Sequence, residues 1–378
     1  MITRAALDAR HIPFSSLHYT TEAFIDYCIP GCNPKYNYAL IGSGVAQNPN
    51  QPVNLRDKHG FQVGAVSMPH GKTNPPHMHF TCEVFICVRG DWRIDWGFNP
   101  DASSAAIGTG DLVSVPTWIY RSFTNTGVDD GFMFTALGGD STGGILWGPG
   151  TLAEAAQNGV YLTEDYRMID VRRDGPLPPD VRLLEPMTPD EIAALRRWSP
   201  QQMIGRIVRF DDLAWSRHGF LDSTLPGGGA QLAPAIGLGI SGDRDGQAPV
   251  ANAHGLSIEW LRIPQGGSVS RHLLAEKQVL IARRGSLALE IEAADGKATY
   301  TLIGNAHAWD SFAVPGDCWR RLVNTGDGDA VAVLMTAGDH RKRILWDDGV
   351  VVAAAAAGLA VDADGFVAPK RFVDRAQR

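Results

Sequence analysis

Cysteine is scarce in this chain, five residues in 378 and an odd number, which argues against a disulfide-stapled scaffold and fits a reducing compartment. Cys28 and Cys32 flank Ile-Pro-Gly, but no second pair stands at zinc-finger spacing, so both read as buried thiols. Nor is there a run near the ~20 apolar residues of a membrane-spanning helix, and the opening MITRAALDARHIPF lacks the ~7–15 residue apolar block of a secretory signal. The expectation is a soluble cytoplasmic protein with no membrane partner. Basic residues are outnumbered, with a net charge of −7 and no long basic run, so nucleic acid is not an expected partner either. Helical patterning is sparse, while 42 glycines and 23 prolines supply turns densely enough for many short strands, which points to an all-β chain.

The chain carries an internal repeat. HGFQVGAVSMPHG at 59–71 and HGLSIEWLRIPQG at 254–266 share His, Gly, Pro and Gly at an offset of 195 residues. The same offset maps Ile41, Gly42 and Gly44 onto Ile236, Gly237 and Gly239, and His77 and Gly90 onto His272 and Gly285. Further along, PTWIYRSFTNTG at 116–127 matches PGDCWRRLVNTG at 315–326 at an offset of 199, so the second copy gains four residues between Gly285 and Pro315. A unit this long is a whole domain rather than a solenoid repeat. Helices are expected in few places. One is TLAEAAQN, with Thr151 and Glu154 as a capping box and Gly159 as its stop, and another is its counterpart VVVAAAAAG. A third is TPDEIAALRRW, capped by Thr188 with Pro189 in its first turn and Glu191 closing the box. The expected division is residues 1–173, a linker with a short helix at 174–200, and residues 201–378.

The chemistry lies in the first copy, in GKTNPPHMHFTCEVFICVRG at 71–90. Gly71, His77, His79, Glu83 and Gly90 stand at the spacing G-x5-H-x-H-x3-E-x6-G. The three polar residues are all odd-numbered, so an extended strand turns them to one face, with a glycine turn at each end. Two imidazoles and a carboxylate form a set that suits a divalent transition metal with open positions. His59 and His70 lie nearby and read as turn or wall residues.

This segment resembles the first signature of the cupin superfamily, and the duplicated chain resembles a bicupin. A second signature is partly matched by Gly110, Pro116 and Asn125 in GDLVSVPTWIYRSFTN, with Trp118 where the family has a glycine and Arg121 where it has its fourth ligand, a histidine. The resemblance implies two tandem jelly-roll β-barrels with a few short helices and a metal inside the first. A guanidinium does not ligate a metal, so three protein ligands are expected. Arg121 either neutralises Glu83 or faces the metal and anchors a substrate anion. In the second copy His272, Leu274 and Gln278 replace the triplet and Arg320 replaces Arg121, so that barrel is expected to be structural or oligomerising, with a metal-free pocket involving His307 and Arg320 as the alternative. Phe85 and Phe123, by strand parity, and Trp118 and Tyr120 beside Arg121 are the expected substrate pocket.

Three functions are compatible with these residues. The first is a non-haem Fe(II) oxygenase acting on a small aromatic or enolisable anion, since three facial ligands leave room for a chelating substrate and O2. The second is a non-redox isomerase, lyase or decarboxylase using Mn, Ni or Zn, and the third a small-molecule-binding protein without catalysis. One divalent metal per chain, a small-molecule ligand and a homo-oligomer are the expected partners.

Overall fold

The computed structural model describes residues 2–98 and 103–376, and these fold into two compact units, Leu17–Phe210 and a second built from the chain's first sixteen residues together with Asp211–Arg378. The boundaries differ from the sequence reading at both ends. His11–Ile12 pairs with Ser311–Val314, and Leu7 is fully buried in the core of the second unit, so this amphipathic opening adds a strand there rather than joining the first barrel. Conversely, Ile207–Val208 pairs with Leu112 and Val113, and the Arg206 guanidinium donates to the Ser114 carbonyl at 2.9 Å, which holds the end of the connecting segment on the first unit.

Among the described residues of the first unit, eight strands form one sheet and five another. The larger runs Ile207–Val208, Leu112–Val115, Glu83–Arg89, Gly131–Gly138, Phe61–Met68, Tyr36–Ile41 and Tyr19–Thr20, with Val53–Leu55 beside Tyr36–Ile41. The smaller runs Ile145–Trp147, Thr73–His79, Arg121–Asn125, Trp92–Trp96 and Ser103–Ile107. Alternating side chains from both sheets meet in one core, Val66, Phe85 and Met133 from the first against Trp92, Ile94 and Phe123 from the second. This is a jelly-roll arrangement of two antiparallel sheets.

In the second unit ten strands form a continuous sheet because Gln278–Ala293 runs without interruption. Its first half pairs with Ala330–Ala337 and Ser311–Val314, its second half with Arg320–Asn324 and Gly296–Gly304. In the first unit the corresponding chain is cut into Glu83–Arg89 and Trp92–Trp96 at Gly90, whose φ is +87°.

The helices are short, as expected, with one difference in capping. The helix Pro149–Gln157 starts earlier than a Thr151 cap allows, with Gly148 as N-cap and Pro149 pre-set at the first turn. Its counterpart Asp348–Ala356 is capped by Asp347, while Thr188 and Glu191 form the expected capping box on Pro189–Ala193.

A candidate metal centre in the first barrel

His77 and His79 sit at the end of Thr73–His79, and Glu83 opens Glu83–Arg89 in the other sheet. The triplet therefore does not lie along one strand; the turn after His79 crosses between sheets and brings Glu83 back against the two rings. Ligand atoms of all three lie within 4.8 Å of one another, and all three residues are buried. The Glu83 Oε2 atom is 3.3 Å from His79 Nε2 and 3.9 Å from His77 Nε2. These separations are close enough for His77, His79 and Glu83 to hold a single divalent metal between them, and the donor set of two imidazoles and a carboxylate fits such an ion.

The surroundings prepare these ligands. A carbonyl only accepts, so the Pro75 carbonyl at 2.8 Å takes the Nδ1–H of His77 and leaves Nε2 with its lone pair toward the cavity. Burial lowers the His77 pKa to about 4, helped by the charges of His79 and Arg121 and opposed by Glu83, so the ring is neutral and ready to ligate near pH 7. Burial pushes the Glu83 carboxyl up, but His79, His77 and Arg121 together outweigh it and hold the group well below the usual carboxylate range. Behind His77, the buried Lys35 ammonium pairs with Asp26 at 2.5 Å and donates to Asn74 Oδ1, and Asn74 in turn stands 3.0 Å from His77 Nδ1.

Arg121 is paired across the strands with His77, and its side chain is fully buried. One guanidinium nitrogen lies 3.4 Å from Glu83 Oε2, and another donates to the Pro116 carbonyl at 2.6 Å. Of the two roles open at the sequence level, the ion pair with Glu83 is present in the structure. The remaining Nε–H has no partner.

A cavity of about 90 Å³ opens onto the triplet and is lined by Phe123, Asn74, Gln51 and Thr135. Phe85 is fully buried beneath it, packed against Phe123 at 5.1 Å, and does not reach the cavity. Trp118 and Tyr120 face a separate cavity that shares no lining residue with this one. The pocket thus keeps one of its four expected aromatic members. Parity failed for Phe85 because the inward face of a two-sheet barrel includes its packed centre as well as its cavity. Sequence reading missed Gln51, whose buried Oε1 has no hydrogen-bond partner, because nothing in a loop pattern marks where its tip will point. His59 and His70 lie at turns, each within hydrogen-bond reach of a backbone carbonyl, of Asp57 and Gly127 respectively.

The second barrel repeats the frame without the ligands. His272 pairs with Arg320 as His77 does with Arg121, and its Nδ1–H donates to the Ser270 carbonyl at 2.8 Å. Leu274 is fully buried, Gln278 donates to Thr336 Oγ1 at 3.0 Å, and Arg320 turns to the Leu274 and Pro315 carbonyls. Burial and the nearby Arg320 charge lower His272 to about 3.

No family model and no curated protein matches this chain. The solved structures give the fold. The oxalate decarboxylase of Lactobacillus farciminis superposes with a TM-score of 0.54 at 13% identity, covering 90% of this chain and 89% of that one. An oxalate decarboxylase variant from Bacillus subtilis gives 0.52 at 13%, covering 90% and 78%. The vicilin of tomato, Solanum lycopersicum, gives 0.52 at 12%, covering 89% and 87%. The chain has the two-barrel fold of these structures, and its first barrel carries a candidate site for one divalent metal.

Proposed function

We propose that the first barrel is the active site of a metal-dependent enzyme acting on a small anion, with Fe(II)-dependent oxygenation as the leading reaction. The observation that carries this reading is the convergence of three buried ligand atoms on a cavity where Arg121, a cation that cannot ligate, holds the fourth family position. His77, His79 and Glu83 would hold the metal, which would supply Lewis acidity or, as Fe(II), redox chemistry toward O2. The protein's own part is to hold the His77 imidazole neutral, to keep Glu83 ionised against Arg121, and to exclude bulk water by burial. Volume narrows the substrate. A cavity of about 150 Å³ is what admits benzene, and this one is about 90 Å³, so an enolisable or carboxylate anion of a few atoms suits it better than an aromatic ring.

A second reading, non-redox decarboxylation with Mn(II), is favoured by the same small volume and by fold neighbours that are oxalate decarboxylases, one described with Mn(II) centres. Protein purified anaerobically and loaded with Fe(II) or Mn(II) is assayed for oxygen uptake and CO2 release with β-diketones and oxalate, using Glu83→Ala as the blank. Oxygen uptake that needs both Fe(II) and substrate supports the oxygenase; CO2 release from oxalate with Mn(II) at full rate replaces it with the decarboxylase.

A further inference from the structure

The turn at 116–120 must place its third residue in the left-handed region, with φ of +58° at Trp118 and +53° at its counterpart Asp317. Glycine meets this requirement without cost and Asp tolerates it, but a bulky aromatic side chain does not. The first barrel nevertheless carries a tryptophan there, and the side chain remains 44% exposed, so burial does not repay the strain. Its ring meets the partly exposed Phe80 edge-on at 5.1 Å. A strained residue kept at the mouth of a cavity points to a ligand rather than to packing.

The cavity is about 380 Å³, four times the volume at the metal site, and lies on the first unit between the Trp118–Tyr120 turn and the segment 187–198. Its walls are aromatic and aliphatic: Phe98 and Tyr120, with centroids 4.9 Å apart, Trp118, Ile192, Met187 and Trp198. The Arg196 guanidinium lies over the Trp198 ring at 4.3 Å, which places a cation on the same wall. Tyr120, almost fully buried, spends its hydroxyl on the Met187 sulfur at 3.5 Å rather than on a polar partner, so the floor is apolar.

We infer that this cavity is a second binding site, separate from the metal centre, for a planar aromatic anion whose ring lies against Trp118 and Phe98 and whose charge is met by Arg196. The size is that of a two-ring ligand, which the metal cavity cannot admit. The inference stands whether or not the metal-centred reaction is as proposed, because no residue is shared between the two cavities.

The test uses the full-length protein and two fluorescent probes, anionic 8-anilinonaphthalene-1-sulfonate and neutral N-phenyl-1-naphthylamine. Wild type should bind each saturably at one per chain. Ile192→Trp, which fills the cavity from a surface helix, should abolish both signals. Trp118→Gly should weaken both by about tenfold through the lost ring contact while leaving the melting temperature unchanged or higher, because the strain is relieved. Arg196→Gln should weaken the sulfonate alone, by about threefold. No saturable binding by wild type, or binding that survives Ile192→Trp, overturns the inference; a Trp118→Gly protein that melts lower yet binds both probes normally shows Trp118 to be a packing residue and overturns it too.

Discussion

Removing Arg121 is the sharpest test of how the first barrel manages its charge. In Arg121→Met the stem is preserved, but the buried Glu83 carboxylate loses the guanidinium 3.4 Å away and the Pro116 carbonyl loses a donor at 2.6 Å. Breaking a buried pair from one side costs about 3–5 kcal/mol, of which the neutral carbonyl bond accounts for about 1. For a unit of this size that is a fall of about 10 °C in melting temperature. A divalent ion bound at the triplet supplies the missing positive charge, so with metal saturating the fall should shrink to that of the carbonyl bond alone. By linkage the remaining ~2–4 kcal/mol must appear as metal affinity, about thirtyfold to several hundredfold tighter in Arg121→Met than in wild type. Calorimetric melting with and without Zn(II) or Mn(II), and a competition titration for the metal, read both sides of the cycle. Arg121→Lys, which keeps a charge but loses the fork, should recover part of the loss. An equal loss of melting temperature in the presence and absence of metal would falsify the view that Arg121 and the metal compete for Glu83.

Two further outcomes follow from the same geometry. One metal should bind per chain, and His77→Ala should bring this near zero, since Leu274 and Gln278 leave the second barrel no triplet; mass spectrometry under native conditions that finds two ions in wild type, or one in the variant, contradicts the site. In the second barrel, burial raises the Glu259 carboxyl from 4.5 to about 8, against backbone donors at Ile240 and Ser241 and the charge of Lys342. The neutral form is therefore favoured by folding, so its contribution is complete below pH 4.5 and is lost as pH rises toward 8, on the order of 5 kcal/mol at 1.36 kcal/mol per pH unit. Glu259→Gln should flatten urea-unfolding stability across pH 5–8, and a wild type already flat over that range refutes the assignment.

Much of this was legible in the sequence because a duplication carries its own register. The offsets of 195 and 199 residues, read from glycines, prolines and histidines, are the offsets that the strands obey: His77 pairs with Arg121 and His272 with Arg320, and Thr135 pairs with Gly64 as Leu334 does with Glu259. The candidate triplet was legible from its spacing, although its three residues meet across two sheets rather than along one strand. What escaped was long-range. Nothing local in His11–Ile12 says that its partner strand lies some 300 residues on, and no alternation rule distinguishes Phe85 in the packed centre from Phe123 on the cavity wall.

The two barrels differ at one position on the cavity wall. A side chain begun at Gly64 would meet the Thr135 hydroxyl and the Tyr38 carbonyl at 3.0 Å, and beyond them it would enter the space beside His79. Glycine there keeps the space open at the expense of backbone entropy. In the second barrel the matching residue is Glu259, and its carboxyl group accepts from the Ile240 and Ser241 N–H groups at 2.8 and 3.0 Å. The position that lines the first cavity as Gly64 is thus filled by Glu259 in the barrel whose ligand positions hold Leu274 and Gln278, so the two barrels differ at the cavity wall and at the triplet together.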